Sequence, residues 1–301
     1  MGIFGGGYMK EGKGVDKNEP KKKGFFLFID ILMHKISKII GTNCLYALTS
    51  IIWIAILYMF FGILIGNTGV VASIAKTISE TDASISTEEM QGSIILLLQL
   101  VCTMGIFSMW GSGPASAAYA YIHRCFTRGE HAWVLSDGKD KFKENFKQGM
   151  LVVLFDAIVL IFAINAGYFY YTLYIGTANF IWLALSYIIV LIFLIYTMMH
   201  PYIYQIMVTF ECSIWSIYKN ALIITIAKLP VNFLLLVISG VVIYAMFTFV
   251  NPLAASLIIL IAGLCLTSFP SHFYAARVIE RTILKDIKEK QPKIEYIGED
   301  E

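Results

Sequence analysis

Apolar residues in this chain fall in long unbroken runs and not in alternation. A spanning helix needs about 20 mostly apolar residues. Six stretches meet that length: 43–66, 93–121, 148–172, 178–200, 229–250 and 252–276. A membrane barrel would show alternating segments, and continuous backbone in lipid must satisfy its polar groups internally. The pattern therefore predicts an all-α polytopic membrane bundle of about six transmembrane helices. Residues 24–41 follow another rhythm. Phe25, Phe28, Ile29, Leu32, Ile36 and Ile39 share one face with Phe26, Met33 and Ile40, while Asp30, His34, Ser37 and Lys38 share the other. This predicts an N-terminal amphipathic helix too polar to span. It either lies in the membrane interface or packs on a polar loop of the same protein. The organisation expected is a flexible basic lead (1–23), one membrane domain (24–276) and a polar tail (277–301).

Composition supports the class. Of 301 residues 58% are apolar and 15% charged, with a mean hydropathy of +0.72, against about 25% charged in a soluble domain. Soluble, disordered and collagen-like chains are excluded. The net charge of +2 lacks the excess a nucleic-acid binder carries. Its distribution is the more useful fact. Every Lys and Arg except Lys76 falls in 1–42, 122–147, 201–228 or 277–301. Basic residues in short connections mark the cytoplasmic face, so a multi-pass protein with both termini inside is expected. Residues 67–92 then form an acidic outer loop with Glu80, Asp82, Glu88 and Glu89, and Thr87-Glu88-Glu89 reads as a helix start. No secretory signal is visible at the start of the chain, and Gly6 stands where a myristoylation pattern needs Ser or Thr.

The segment 122–147 is the largest inner connection. Ser136-Asp137 predicts a cap for a short helix that sets Phe142 and Phe146 on one face. Asn43, Asn145 and Asn220 each stand near an expected helix start, which fits either capping or a weak internal repeat. The five cysteines form no CxxC, so neither a disulfide framework nor a zinc site is expected.

Catalytic signatures are missing: there is no GxxxxGK[ST], HExxH or GxSxG. The histidines have no ligand spacing. No enzyme activity, cofactor or metal is expected. Ionisable residues inside spans are the usual pointers to function, and two stand out. Asp156 lies in the third span, expected between the surface and the midplane, and His200 lies where the fourth meets Pro201. A proton or cation site and a carboxylate bonded to a neighbouring helix both fit Asp156. The run Gly111-Ser112-Gly113-Pro114-Ala115-Ser116-Ala117 lets backbones approach closely, with a kink at Pro114. Gly111, Gly113, Pro114 and Ala117, with Asn145 and Phe146, are candidate packing or partner contacts. Tyr168, Tyr170, Tyr171 and Tyr174 crowd the outer end of the third span, as an aromatic belt or as rings that stack on a sugar.

Three stretches together carry a family resemblance: Gly12-Lys13-Gly14-Val15-Asp16-Lys17-Asn18-Glu19-Pro20 with Lys21-Lys22-Lys23, then Gly113-Pro114-Ala115-Ser116-Ala117-Ala118, then Phe142-Lys143-Glu144-Asn145-Phe146-Lys147-Gln148. In order and spacing the chain resembles the YesL family of bacterial membrane proteins. The resemblance runs from Gly12 to about Arg281. It implies a setting beside carbohydrate ABC importers and glycoside hydrolases in Gram-positive bacteria, and carries over no catalytic residues. The Glu-Ala-Ala…Gly loop of an importer permease is absent here. The expectation is a non-catalytic auxiliary subunit of such an importer, with the lipid bilayer, importer permeases and a carbohydrate as partners. The alternative is an independent transporter or channel for a neutral solute.

Overall fold

The computed structural model describes residues 24–66, 69–81 and 86–284. Among them every regular element is helical: α1 (Phe25–Thr49), α2 (Ile51–Gly66), α3 (Gly69–Thr81), α4 (Thr87–Trp110), α5 (Pro114–Arg128), α6 (Val134–Glu144), α7 (Phe146–Thr177), α8 (Phe180–Met207), α9 (Ile214–Ala227), α10 (Leu229–Phe249), α11 (Pro252–Ile261) and α12 (Ser268–Ile279). A 3₁₀ turn (Gly263–Cys265) joins the last two helices, and a π-helical turn (Glu280–Leu284) follows them. The basic lead 1–23, with its Lys21-Lys22-Lys23 cluster, and the tail beyond 284 lie outside the described residues.

Helices α4, α7, α8 and α10 are each long and apolar enough to cross a membrane. Two further crossings arise if bent pairs are counted as one: α1 with α2, bent by 63°, and α11 with the helical segment after Gly263, bent by 57°. The molecule is a polytopic helical bundle.

Its boundaries correct the sequence in several places. The helix begun at Phe25 does not stop near Gly41; it runs to Thr49 and bends at Ser50, because no breaker interrupts Gly41–Thr49. Ile31 and Ile39 are buried against Ile122, Phe126 and Phe269, while Phe26 and Met33 face outward. The expected outer loop holds α3, which packs on α4. Ser86 caps α4 in a reciprocal arrangement with Glu89. The short helix expected in 122–147 starts at Val134, earlier than Ser136-Asp137 implied; Asp137 Oδ2 reaches back to the Trp133 N–H at 2.9 Å. The stretch 201–228 is no linker. Helix α8 continues through Pro201 to Met207, and α9 packs along it. An interior proline costs about 3 kcal/mol, but nearly every residue from Thr197 to Met207 is buried, and that packing outweighs it. The expected span 252–276 is interrupted between Ile261 and Ser268.

Hydrogen bonds between helices fix their relative heights. Gln99 Nε2 on α4 reaches the Tyr58 carbonyl on α2 at 2.7 Å, and Trp53 at the start of α2 reaches the Gly111 carbonyl just past the end of α4, so the two run antiparallel. Trp110 Nε1 at the end of α4 donates to Thr197 Oγ1 on α8 at 2.9 Å. The Tyr202 hydroxyl donates to Asn232 Oδ1 on α10 at 2.8 Å. Trp110 thus stands level with Thr197, and Asn232 with Tyr202, with the basic segments beyond them. There α5 is the central post, enclosed by α1, α6, α7, α8 and α12. Arg124 caps the end of α8 through Val208 O (2.8 Å) and Thr209 Oγ1 (2.6 Å).

Candidate functional site

The chain breaks between α4 and α5 where the sequence suggested only a kink. Pro114 occupies the first turn of α5, a favoured place for a residue without an N–H, and it disfavours helix in the residue before it. Gly111 and Gly113 adopt φ +86° and +68°, a region that side chains rarely tolerate. A Cβ on Gly113 would lie 2.7 Å from the Gly149 carbonyl oxygen. Gly149 is reciprocally tight, since its own Cβ would lie 2.5 Å from the Pro114 nitrogen. The break therefore seats directly on α7.

Broken helix exposes backbone groups that need partners, and side chains of α2, α5 and α8 supply them. Trp53 Nε1 donates to the Gly111 carbonyl at 2.8 Å. The Ser112 N–H donates to Ser116 Oγ at 2.7 Å, and the Gly113 N–H to the Tyr204 hydroxyl at 3.1 Å. Tyr46 bonds Ser116 at 2.9 Å, and Ser50 bonds Ser112.

Beside the break stand the two ionisable residues. His200 Nε2 lies 2.9 Å from Asp156 Oδ1, and the two side chains are 1% and 2% exposed. The Tyr196 hydroxyl donates to the same carboxyl oxygen at 2.8 Å and lies 3.3 Å from the Tyr218 hydroxyl. His200 Nδ1 faces the Tyr196 carbonyl at 3.1 Å. The imidazole stacks on Trp110 with 5.0 Å between ring centres and 9° between planes. Both ring nitrogens face oxygens. An imidazolium against a carboxylate satisfies this, and so does a neutral imidazole accepting from a protonated Asp156. Either form holds the same number of protons. From Thr177 back to Asp156, and from Phe180 on to His200, each helix runs about 30 Å, the thickness of the hydrocarbon layer. Asp156 thus lies near the basic margin of the apolar slab.

The other sequence candidates scatter. Gly111, Gly113, Pro114 and Ala117 are buried inside this chain, with Ala117 packed among Val152, Ile203 and Ile206, so the small face meets its own α7 and α8. Asn145 joins α6 to α7 and bonds the Lys141 carbonyl at 2.9 Å. Phe146 is half exposed and packs on Phe142. Asn43 lies mid-helix, accepting from Tyr119 at 3.2 Å and donating to Cys265 Sγ and Ile261 O, and Asn220 lies inside α9; neither caps a helix. Tyr168 and Tyr171 are exposed, Tyr170 stacks on Trp182, and Tyr171 stands by Tyr174.

Tyr196, Tyr204, Tyr218 and Trp110 were not singled out from sequence. Tyr196, His200 and Tyr204 recur every four residues on one helical face, a signal that was present. A second polar cluster joins Tyr119, His123 and His272; both ring nitrogens of His123 lack a partner. Burial, with His272 nearby, holds its imidazole well below the ordinary value. No cluster of three or more metal-ligating side chains occurs among the described residues. Between α4, α8, α10 and the start of α12 lies a small cavity of about 30 Å³ lined by Ser108, Thr197, Asn232, Ser239 and His272.

Fold and site together define a multi-pass helical membrane protein with a broken helix latched at its basic margin. No family model, curated protein or solved structure matches the chain.

Proposed function

We propose that this protein is a non-catalytic auxiliary subunit of a carbohydrate ABC importer in a bacterial plasma membrane, with both termini cytoplasmic. The importer setting rests on the resemblance to the YesL family. One structural observation carries the auxiliary role: the polar helix α6 is preceded by Trp133 at its N-cap and carries Leu135 in its first turn, 69% and 71% exposed, in the basic layer. Exposed tryptophan beside aliphatic surface is the usual composition of an interface anchor. The buried polar groups at the helix break serve one another and the backbone, which suits a rigid scaffold. Purification of the native protein in mild detergent, with identification of copurifying chains, tests the reading. Stoichiometric importer permeases support it, and a lone protein that moves sugar into liposomes overturns it.

A second reading, a pathway for a neutral solute, is favoured by the polar-lined cavity beside Thr197 and His272. Discontinuous helices flank it on two sides, as they do at many transport sites. Sugar flux into liposomes separates the two.

A further inference from the structure

A large groove runs between α10, α12 and the first turn of α1, with a volume of about 670 Å³. Its walls are apolar: Val231, Leu234, Ile238 and Val242 on one side face Leu266 and Phe273 on the other. From Val231 to Val242 is eleven residues, about 16 Å of helix. One leaflet of a bilayer, half of a ~30 Å core, is the same depth. Phe25 and Phe28 line the groove beside Phe273, and Phe28 packs on it with 5.3 Å between ring centres.

The basic end is charged. Lys228, Arg277 and Arg281 all line it. Among the described residues Glu280 is the carboxylate paired with Arg277, but its Oε1 already bonds Arg128 Nε, and its Oε2 lies 3.9 Å from Arg277 Nη1. Arg277 Nε is buried without a hydrogen-bond partner. Lys228 and Arg281 have no ion-pair partner among the described residues. An apolar slot one leaflet deep, ending in three cations with donors to spare, matches one chemistry. A planar guanidinium suits phosphate, and basic pockets between helices at this margin suit anionic headgroups.

We propose that this groove holds one anionic glycerophospholipid, with an acyl chain along α10 and its phosphate against Lys228, Arg277 and Arg281. A zwitterionic lipid brings its own cation to the same place and loses most of the attraction. Soluble phosphate monoesters lack the part that fills the slot. The bound lipid ties the start of α1 to α10 and α12. This site is independent of the importer reading.

The test is lipid binding to the delipidated full chain in detergent, read by native mass spectrometry. The probes are palmitoyl-oleoyl phosphatidylglycerol, phosphatidylcholine with the same chains, and glycerol phosphate. Phosphatidylglycerol is expected to bind at least about tenfold more tightly than phosphatidylcholine, since each cation near an anionic group contributes a factor of about five. The double variant Lys228→Gln with Arg281→Gln loses that preference, and Ile238→Trp, which fills the slot, weakens both lipids. Equal binding of the two lipids to the unaltered protein overturns the proposal. So does displacement of the lipid by glycerol phosphate, or a preference that survives loss of both cations. The comparison on the unaltered chain decides the matter even where a variant fails to fold.

Discussion

Asp156 and His200 stand 44 positions apart, yet His200 Nε2 lies 2.9 Å from Asp156 Oδ1 with both side chains withdrawn from solvent. The contact ties α7 to α8 at the level where α4 ends. Through Trp110 stacked on the imidazole and Tyr204 bonded to Gly113, the same face of α8 also holds the break between α4 and α5. A polar pair in such a position acts as a latch between three helices.

Removing one member of that latch leaves the other buried and alone. Asp156→Leu or His200→Leu is expected to destabilise the protein by about 3–5 kcal/mol, whereas the double replacement by leucine costs less than the two single changes summed. Denaturant unfolding in detergent of the four proteins measures this. Strict additivity would show that the two side chains do not act as a pair.

The glycines of the break are expected to resist replacement. Gly113→Ala introduces a side chain at positive φ, against the carbonyl of Gly149. The backbone strain alone is about 1–3 kcal/mol, and the steric conflict adds to it. Gly176→Ala, a helical position with open space around it, serves as the control and leaves the thermal midpoint nearly unchanged. Equal midpoints for the two variants would contradict the break as described.

Tyr204→Phe deletes the hydroxyl that accepts from the Gly113 N–H. A buried donor left without a partner costs about 1–3 kcal/mol. Tyr187→Phe, on an exposed part of the same helix, should fall within about 0.5 kcal/mol of the parent. Unfolding of both variants under one set of conditions checks the difference.

His123 gives the stability a pH dependence. Its imidazole is held below the ordinary value by burial, with His272 adding to the effect. The unfolded chain therefore binds a proton that the folded chain refuses, so stability falls as pH drops below about 6.5. The slope from this one group is about 1.4 kcal/mol per pH unit. His123→Phe leaves no partner unsatisfied, because neither ring nitrogen has one, and it should flatten the acid limb between pH 6.5 and 5. An unchanged limb would assign the acid sensitivity elsewhere.

Trp133→Ala with Leu135→Ala is expected to leave the unfolding midpoint within the ordinary range of surface changes, about 0.5 kcal/mol, while lowering recovery of copurifying permeases severalfold. Quantitative mass spectrometry of the eluate, normalised to the tagged chain, reads the second effect. Undiminished recovery would remove α6 as the contact.

Legibility followed the range of the interaction. The start of α4 was readable because Ser86 and Glu89 satisfy each other within one turn. Asp156 and His200 were visible as lone ionisable residues in apolar runs, but nothing local says that they face each other. Pro201 and Pro114 show the limit most clearly. Both are prolines in apolar surroundings, yet α8 runs through one and the chain breaks completely at the other. Glycines at 111 and 113 make the second break sterically accessible, and burial on all sides sustains helix around the first.

The sequence by itself determined the class of this protein: the length of its apolar runs forces helices through an apolar slab, and its cations gather in the segments between them. Only the tertiary structure decided where those runs bend, break or continue. A helix can be interrupted inside a packed layer only if the freed backbone groups find partners. Here those partners are Trp53 for the Gly111 carbonyl and Tyr204 for the Gly113 N–H. They come from helices dozens of residues away, and no local pattern specifies such a contact.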